Sequence, residues 1–223
     1  MRKPLLTALC LLMTVAMQAQ TVALDSVGRP ADYVQTIIGR AEKNISALKL
    51  TGDKAVNVRN IVCNRYFQLN DIYAERDTTI NRAKASLTGD AKNKAIDAAR
   101  ALCDSKLYRS HFALPAQLGM YLTPEQVTAV KDGITMGVVD VTYTATLDMI
   151  PSLTDEEKLQ IRLWLEEARE LALDAESSKK KHDCFGKYKG RINNYLAKRG
   201  YDLVKEREQW YKRIEERKAK QAK

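Results

Sequence analysis

Proline and glycine are scarce, with 5 prolines and 10 glycines in 223 residues. No proline falls between Pro30 and Pro115, and none follows Pro151. That scarcity excludes collagen-like and low-complexity chains and leaves long spans free to form helices. Histidine is rarer still, with His111 and His182 alone. GxSxG, HExxH, P-loop, GxGxxG and CxxC motifs are all missing past residue 20, so the common hydrolase, metalloprotease, nucleotide and dithiol signatures are lacking. No cofactor is implied. No stretch past that point approaches the ~18 apolar residues of a membrane span. Three cysteines remain there, Cys63, Cys103 and Cys184, at spacings that match no metal motif. They permit one disulfide with a leftover thiol, or three buried thiols.

The amino terminus reads as a targeting segment. Arg2 and Lys3 form a positive n-region, Leu5 to Met17 is an apolar run, and Ala19 supplies the small residue before a cut. A secretory signal over residues 1–19 is expected, and a periplasmic or secreted address with it. Cys10 sits inside the apolar run and does not serve as a lipoprotein anchor. From Ser177 onward, 16 Lys/Arg face 6 Asp/Glu, so the positive charge is concentrated in the last fifth of the chain. In a cytosolic protein such a tail would suggest nucleic acid. Export argues against that partner and leaves acidic glycans and membrane head groups.

Helical periodicity is strong. Val34, Ile37, Ile38, Ala41, Ile45 and Leu48 form one stripe, and Val58, Ile61, Val62, Tyr66, Leu69 and Ile72 form another. A Leu-Thr pair recurs at 50–51, 87–88, 122–123 and 153–154, each placing a threonine where an N-cap starts a helix. Thr123-Pro124-Glu125-Gln126 and Thr154-Asp155-Glu156-Glu157 are capping boxes. The span 134–147 carries β-branched residues with partial alternation, which allows a short hairpin. The capped start at Thr123 favours a helix that breaks near Gly137 and resumes from about Asp140 to Met149. Gly200 reads as a helix stop. The fold expected is an all-α single-domain bundle of about six or seven helices. A signal over 1–19 and a flexible segment over 20–29 precede it. The helical domain covers 30–217, and a frayed basic tail covers 218–223.

The segment from Ser177 to Tyr195 differs from the rest. On a helix, Phe185, Tyr188, Ile192 and Tyr195 fall on one face, and Lys187, Arg191, Asn194 and Lys198 on the other. Arginine pairs carboxylates in two-pronged fashion and asparagine both donates and accepts, so the polar face suits a ligand rich in hydroxyls or carboxylates. His182 lies in a polar setting beside it. His111, within Tyr108-Arg109-Ser110-His111-Phe112, reads as a structural histidine.

Several blocks carry a resemblance: Leu122-Thr123-Pro124-Glu125-Gln126-Val127, Val130-Lys131-Asp132-Gly133, Thr142-Tyr143, and Leu147-Asp148-Met149-Ile150-Pro151. So do Asp174-Ala175-Glu176-Ser177-Ser178, Lys181-His182, Phe185 to Leu196, and Gly200-Tyr201-Asp202. Together they resemble a domain-of-unknown-function family of secreted proteins from polysaccharide-degrading gut bacteria, described as sugar-binding. The resemblance runs over roughly 28–210, and Phe185 to Leu196 is its most specific part. It implies a carbohydrate partner, with acidic oligosaccharides favoured by the basic carboxyl-terminal third. The ligand-binding residues expected are Lys187, Arg191, Asn194 and His182, with Asp148 and Tyr143 from the other block. Two alternatives stand beside this one. The Leu-Thr-Pro-Glu-Gln start is similar to the helix starts of LTxxQ-type periplasmic chaperones. A polyuronate lyase would use Tyr188 or His182 as base, with Arg191 and Lys187 on the carboxylate. The sequence does not fix the oligomeric state.

Overall fold

The structure is a computed structural model that describes residues 21–221. The signal expected over 1–19 lies outside the described residues. Within them every regular element is helical: α1 (Ala31–Ile45), a 3-10 turn (Ser46–Leu48), α2 (Gly52–Ser86), α3 (Gly89–His111) and α4 (Ala113–Gly119). They are followed by α5 (Pro124–Ile134), α6 (Val138–Met149), α7 (Asp155–Leu173), α8 (Ser178–Lys198) and α9 (Leu203–Gln221). The all-α single domain agrees with the sequence. The helices are more numerous than six or seven because Phe112 separates the short α4 from α3, and because α5 and α6 are distinct helices.

The 134–147 ambiguity resolves as two helices joined by a tight turn. The Gly137 amide donates to the Asp132 carbonyl at 2.8 Å and the Met136 amide to the Gly133 carbonyl at 3.3 Å, the paired bonds of a Schellman stop. Met136 (φ 64°) and Gly137 (φ 64°) are both left-handed. Helix α6 then begins at Val138, two residues before the expected restart.

All four Leu-Thr pairs do precede helices. Thr123 and Thr154 close full capping boxes. Thr51 and Thr88 occupy N-cap positions but make no side-chain cap bond. The glycine after each departs from helical geometry (φ 58° and 53°), which turns the next amides away from the hydroxyl. Gly200 stops α8 as expected, with the Tyr201 amide reaching back to the Leu196 carbonyl at 3.2 Å.

Two apolar cores form. The first gathers α1, the amino-terminal half of α2, α4 and α5 around Ile37, Val58, Val62, Phe67, Leu118 and Val130. The second gathers α6, α7 and α8 around Val139, Ile161, Leu165, Phe185, Ile192 and Leu196. Helix α5 packs on α7 between them. That seam carries ion pairs from Arg169 to Asp132 (2.9 Å) and from Lys131 to Glu170 (2.8 Å).

Residues 21–29, within the flexible segment expected over 20–29, lie along α2. Asn57, Asn60 and Asn64, spaced three and four apart on α2, bond the peptides of Val22, Ala23 and Asp25 at 2.7–2.9 Å. Arg29 grips Asp71 through both terminal nitrogens (2.9 and 2.7 Å) and lies 4.5 Å over the Phe67 ring.

Candidate functional site

Helix α2 spans 35 residues, about 52 Å at 1.5 Å per residue. Its second half has left the first core: from Tyr73 to Ser86 only Ala83 is buried. Beyond that point α3 is the helix that packs on it. Together they form an arm. Between this arm and the α7–α8 turn lies an open cleft of about 1360 Å³.

Asp174, the residue that ends α7, anchors the floor of the cleft. Its carboxylate accepts from Arg65 and lies 2.8 Å from His111 Nδ1. The Tyr73 hydroxyl donates to its carbonyl at 2.6 Å. Arg65 also reaches Gln68 and Ser110 (2.6 and 2.9 Å), so α2, α3 and α7 converge on this carboxylate. Such a carboxylate fixes the ring of its histidine and favours the tautomer with the proton on Nδ1. His111 Nε2 is left 4.0 Å from Glu170, beyond hydrogen-bond reach, at the cleft wall. This is the arrangement a general base needs.

The walls mix apolar and charged groups. Tyr108 is 74% exposed and Leu171 56%, both on the cleft. Lys84, Lys180 and Lys187 line it and have no ion pair among the described residues. Arg76, also on the wall, is held by Asp77 and Glu176 at 2.7 and 2.8 Å. Cys103 and Cys184 line the same space as free thiols. Burial pushes both thiols, and the Tyr73 phenol, above their ordinary pKa values, so none is an ionised nucleophile. Cys63, the third free thiol, is buried in the first core and pushed up to about 11 by that burial. Among the described residues no group of His, Cys, Asp and Glu is placed to hold a metal ion.

The residues singled out in the sequence divide between sites. Lys187, Arg191 and Asn194 do share one face of α8, beside Trp164, Tyr195 and Lys198. Lys187 also reaches the arm cleft. The Arg191 guanidinium lies 4.5 Å over the Trp164 ring and 5.9 Å from that of Tyr188, with Glu167 at 3.5 Å. It therefore covers the indole face on which a sugar would stack. His182 is exposed and precedes Arg191 by nine residues, which places it on the opposite side of α8. Tyr143 packs on the second core with Arg162 at 5.5 Å from its ring. Asp148 is taken up by α9: Trp210 donates to it at 2.6 Å and Arg217 through two nitrogens at 2.9 and 2.7 Å. Those bonds hold its carboxyl down at about 2. Tyr188, one of the two bases a lyase would use, is pushed up to about 12 by burial and Glu167.

Sequence reasoning missed the pairing of His111 with Asp174. The two lie 63 residues apart on different helices, and no local spacing signals their contact. The one sequence-level trace is that Asp174 opens one of the blocks that carry the family resemblance.

No curated protein matches the chain. A family model described as "Protein of unknown function (DUF3826)" matches residues 34–216, a span from α1 into α9 that takes in the arm, the Asp174 cluster and both cores. The chain belongs to the DUF3826 family.

Proposed function

We propose that the protein is an exported carbohydrate-binding protein that holds acidic oligosaccharides in the cleft between the α2–α3 arm and the α7–α8 turn. One observation carries this reading. A single open space of about 1360 Å³ combines the exposed ring of Tyr108 with three lysines, Lys84, Lys180 and Lys187, that lack ion-pair partners among the described residues. An aromatic face covers the apolar side of a sugar ring, and free ammonium groups meet uronate carboxylates. Asp104 and Asp183 on the same walls supply acceptors for ring hydroxyls. The targeting segment and the resemblance to secreted sugar-binding proteins support the same reading. Titration calorimetry with oligogalacturonate tests it. Tyr108→Ala, and Lys180→Ala with Lys187→Ala, should each weaken binding roughly tenfold or more without lowering the melting temperature. Unchanged affinity in both would remove the cleft as the site. Arg191→Ala separates the cleft from the α8 face: loss of binding there alone moves the site to Trp164 and Arg191.

The Asp174–His111 pair favours a second reading, a polyuronate lyase working in the same cleft. His111 Nε2 takes the proton α to the uronate carboxylate. The electron pair of that C–H bond forms the new carbon–carbon double bond as the neighbouring C–O bond breaks. The departing glycosidic oxygen takes a proton from water, and His111 then returns its proton to the resulting hydroxide. A cleft lysine neutralises the carboxylate while charge builds up. Unsaturated-product absorbance from polygalacturonate, lost in His111→Gln while binding persists, is the expected signature. No absorbance from the wild type would leave the cleft a binding site only.

A further inference from the structure

Lys181 is the one buried lysine among the described residues, 6% exposed. Its ammonium donates to the Ile134 carbonyl at 3.0 Å and lies 5.4 Å from the Tyr66 ring. No carboxylate comes within ion-pair distance of it among the described residues. Charges of its own sign share its surroundings: Arg40 stands 5.5 Å from the same ring, and Lys43 lines the same pocket. Neither has an ion pair among the described residues. The single carboxylate on the pocket wall, Glu176, is engaged by Arg76 at 2.8 Å.

An ammonium taken from water without a counter-charge is costly, and a protein normally pairs it. Here three cations line one pocket, and its carboxylate neighbours, Glu176 and Asp174, are already engaged by Arg76 and by Arg65. The pocket encloses about 730 Å³. Ser177 and Ser178 at the start of α8 line its edge. The Ser177 hydroxyl already caps the Lys180 amide at 3.2 Å, and the dipole of the 21-residue α8 adds partial positive charge at that end. The Tyr66 hydroxyl, which accepts from Asn44 at 2.8 Å, adds a donor.

We infer that this pocket, bounded by α1, α2 and the start of α8, is a binding site for a small oxyanion, a carboxylate or sulfate group that supplies the counter-charge to Lys181, Arg40 and Lys43. It adjoins the arm cleft at Tyr73, Ala175 and Glu176, which line both. Its cations Lys181, Arg40 and Lys43 line this pocket and not the cleft, and the inference does not depend on the glycan reading of that cleft. The group can arrive as a free inorganic ion or on an acidic sugar, and both present the same oxygens to the same cations.

Thermal unfolding and calorimetry with sodium sulfate, sodium phosphate, galacturonate and glucose decide the matter. Sulfate, phosphate or galacturonate should raise the melting temperature where sodium chloride of equal ionic strength and glucose do not. Galacturonate tighter than sulfate identifies a sugar acid; the reverse identifies a free ion. Arg40→Gln, an exposed position, should keep the apo melting temperature and lose roughly tenfold or more in affinity. Lys181→Met should lose the anion response and melt no lower than the wild type without anion. If no oxyanion outperforms sodium chloride, or if both variants bind as the wild type does, the inference fails. An apo Lys181→Met protein that unfolds while Arg40→Gln retains full affinity also overturns it, because Lys181 is then a strut for Ile134 alone.

Discussion

At the scale of single residues, Glu157 and Lys181 are opposite cases of a buried charge. Glu157 is 3% exposed and accepts from the Thr154 amide (2.9 Å), the Tyr201 hydroxyl (2.7 Å) and Arg199 (3.0 Å). Those donors hold its carboxyl down at about 2, against an ordinary 4.5. The folded state therefore gains from the ionised form, fully above the ordinary value, and loses that gain as pH falls toward 2. Glu157→Gln should cost about 2 kcal/mol at neutral pH and flatten the fall in stability between pH 4.5 and 2, read from urea titrations at several pH values. Lys181 runs the other way. Burial and Arg40 bring its ammonium from 10.5 down to about 8. The unfolded chain then binds the extra proton between those values, so this residue makes stability rise with pH across that window. Arg40 and Lys43 from α1, Tyr66 from α2, and Asp174 and Glu176 from the α7–α8 turn are the charged and titratable groups around it. Lys181→Met should remove the rise, and melting curves at pH 7.5 and 10 would show it.

At the scale of helices, two contacts set how α5 and α7 sit. Gly133 lets α5 approach α1 so closely that a Cβ there would meet the Asn44 carbonyl oxygen at 2.1 Å. Gly133→Ala should cost about 1–3 kcal/mol, measured by denaturant midpoint, because backbone must retreat from backbone. Thr154→Ala should cost about 1 kcal/mol through the lost cap of α7. These caps, the Gly200 stop and the apolar stripes of α1 and α2 were legible in the sequence, because each depends on residues within a turn or two of one another. The asparagine ladder was overlooked: Asn57, Asn60 and Asn64 lie on one helical face, but their partners are backbone groups of residues 22–25, some 35 to 41 residues away. Asp174 with His111, and Asp148 with Trp210 and Arg217, were not legible. Their partners are 63, 62 and 69 residues away, and only the packed helices bring them together. Arg191 shows the converse. Its helix face was read correctly, yet the Trp164 ring beneath it comes from α7.

At the scale of the molecule, α9 and the arm are the two parts that give no buried residue to either core, α9 touching the second through the half-buried Leu203. Helix α9 buries no residue and is held by Asp148, together with Arg213 bonds to the carbonyls of Asp148 and Met149 (2.8 and 3.0 Å). Asp148→Ala should raise amide exchange across 203–221 while exchange in α1 and α7 stays as it was, a local opening well below global unfolding. The arm is fixed differently, by a root alone. From Tyr73 to the end of α2 at Ser86 it reaches about 20 Å, and Arg76 to Glu176 is its ion pair to the α7–α8 turn. A cantilever of that length has a simple mechanical property: turning its root by about 10° carries the tip by about 3.5 Å, roughly the thickness of one flat ring. Its gap to the body is set at the root, among Arg65, Tyr73 and Asp174, so the same cluster that orients His111 is the fulcrum of the span.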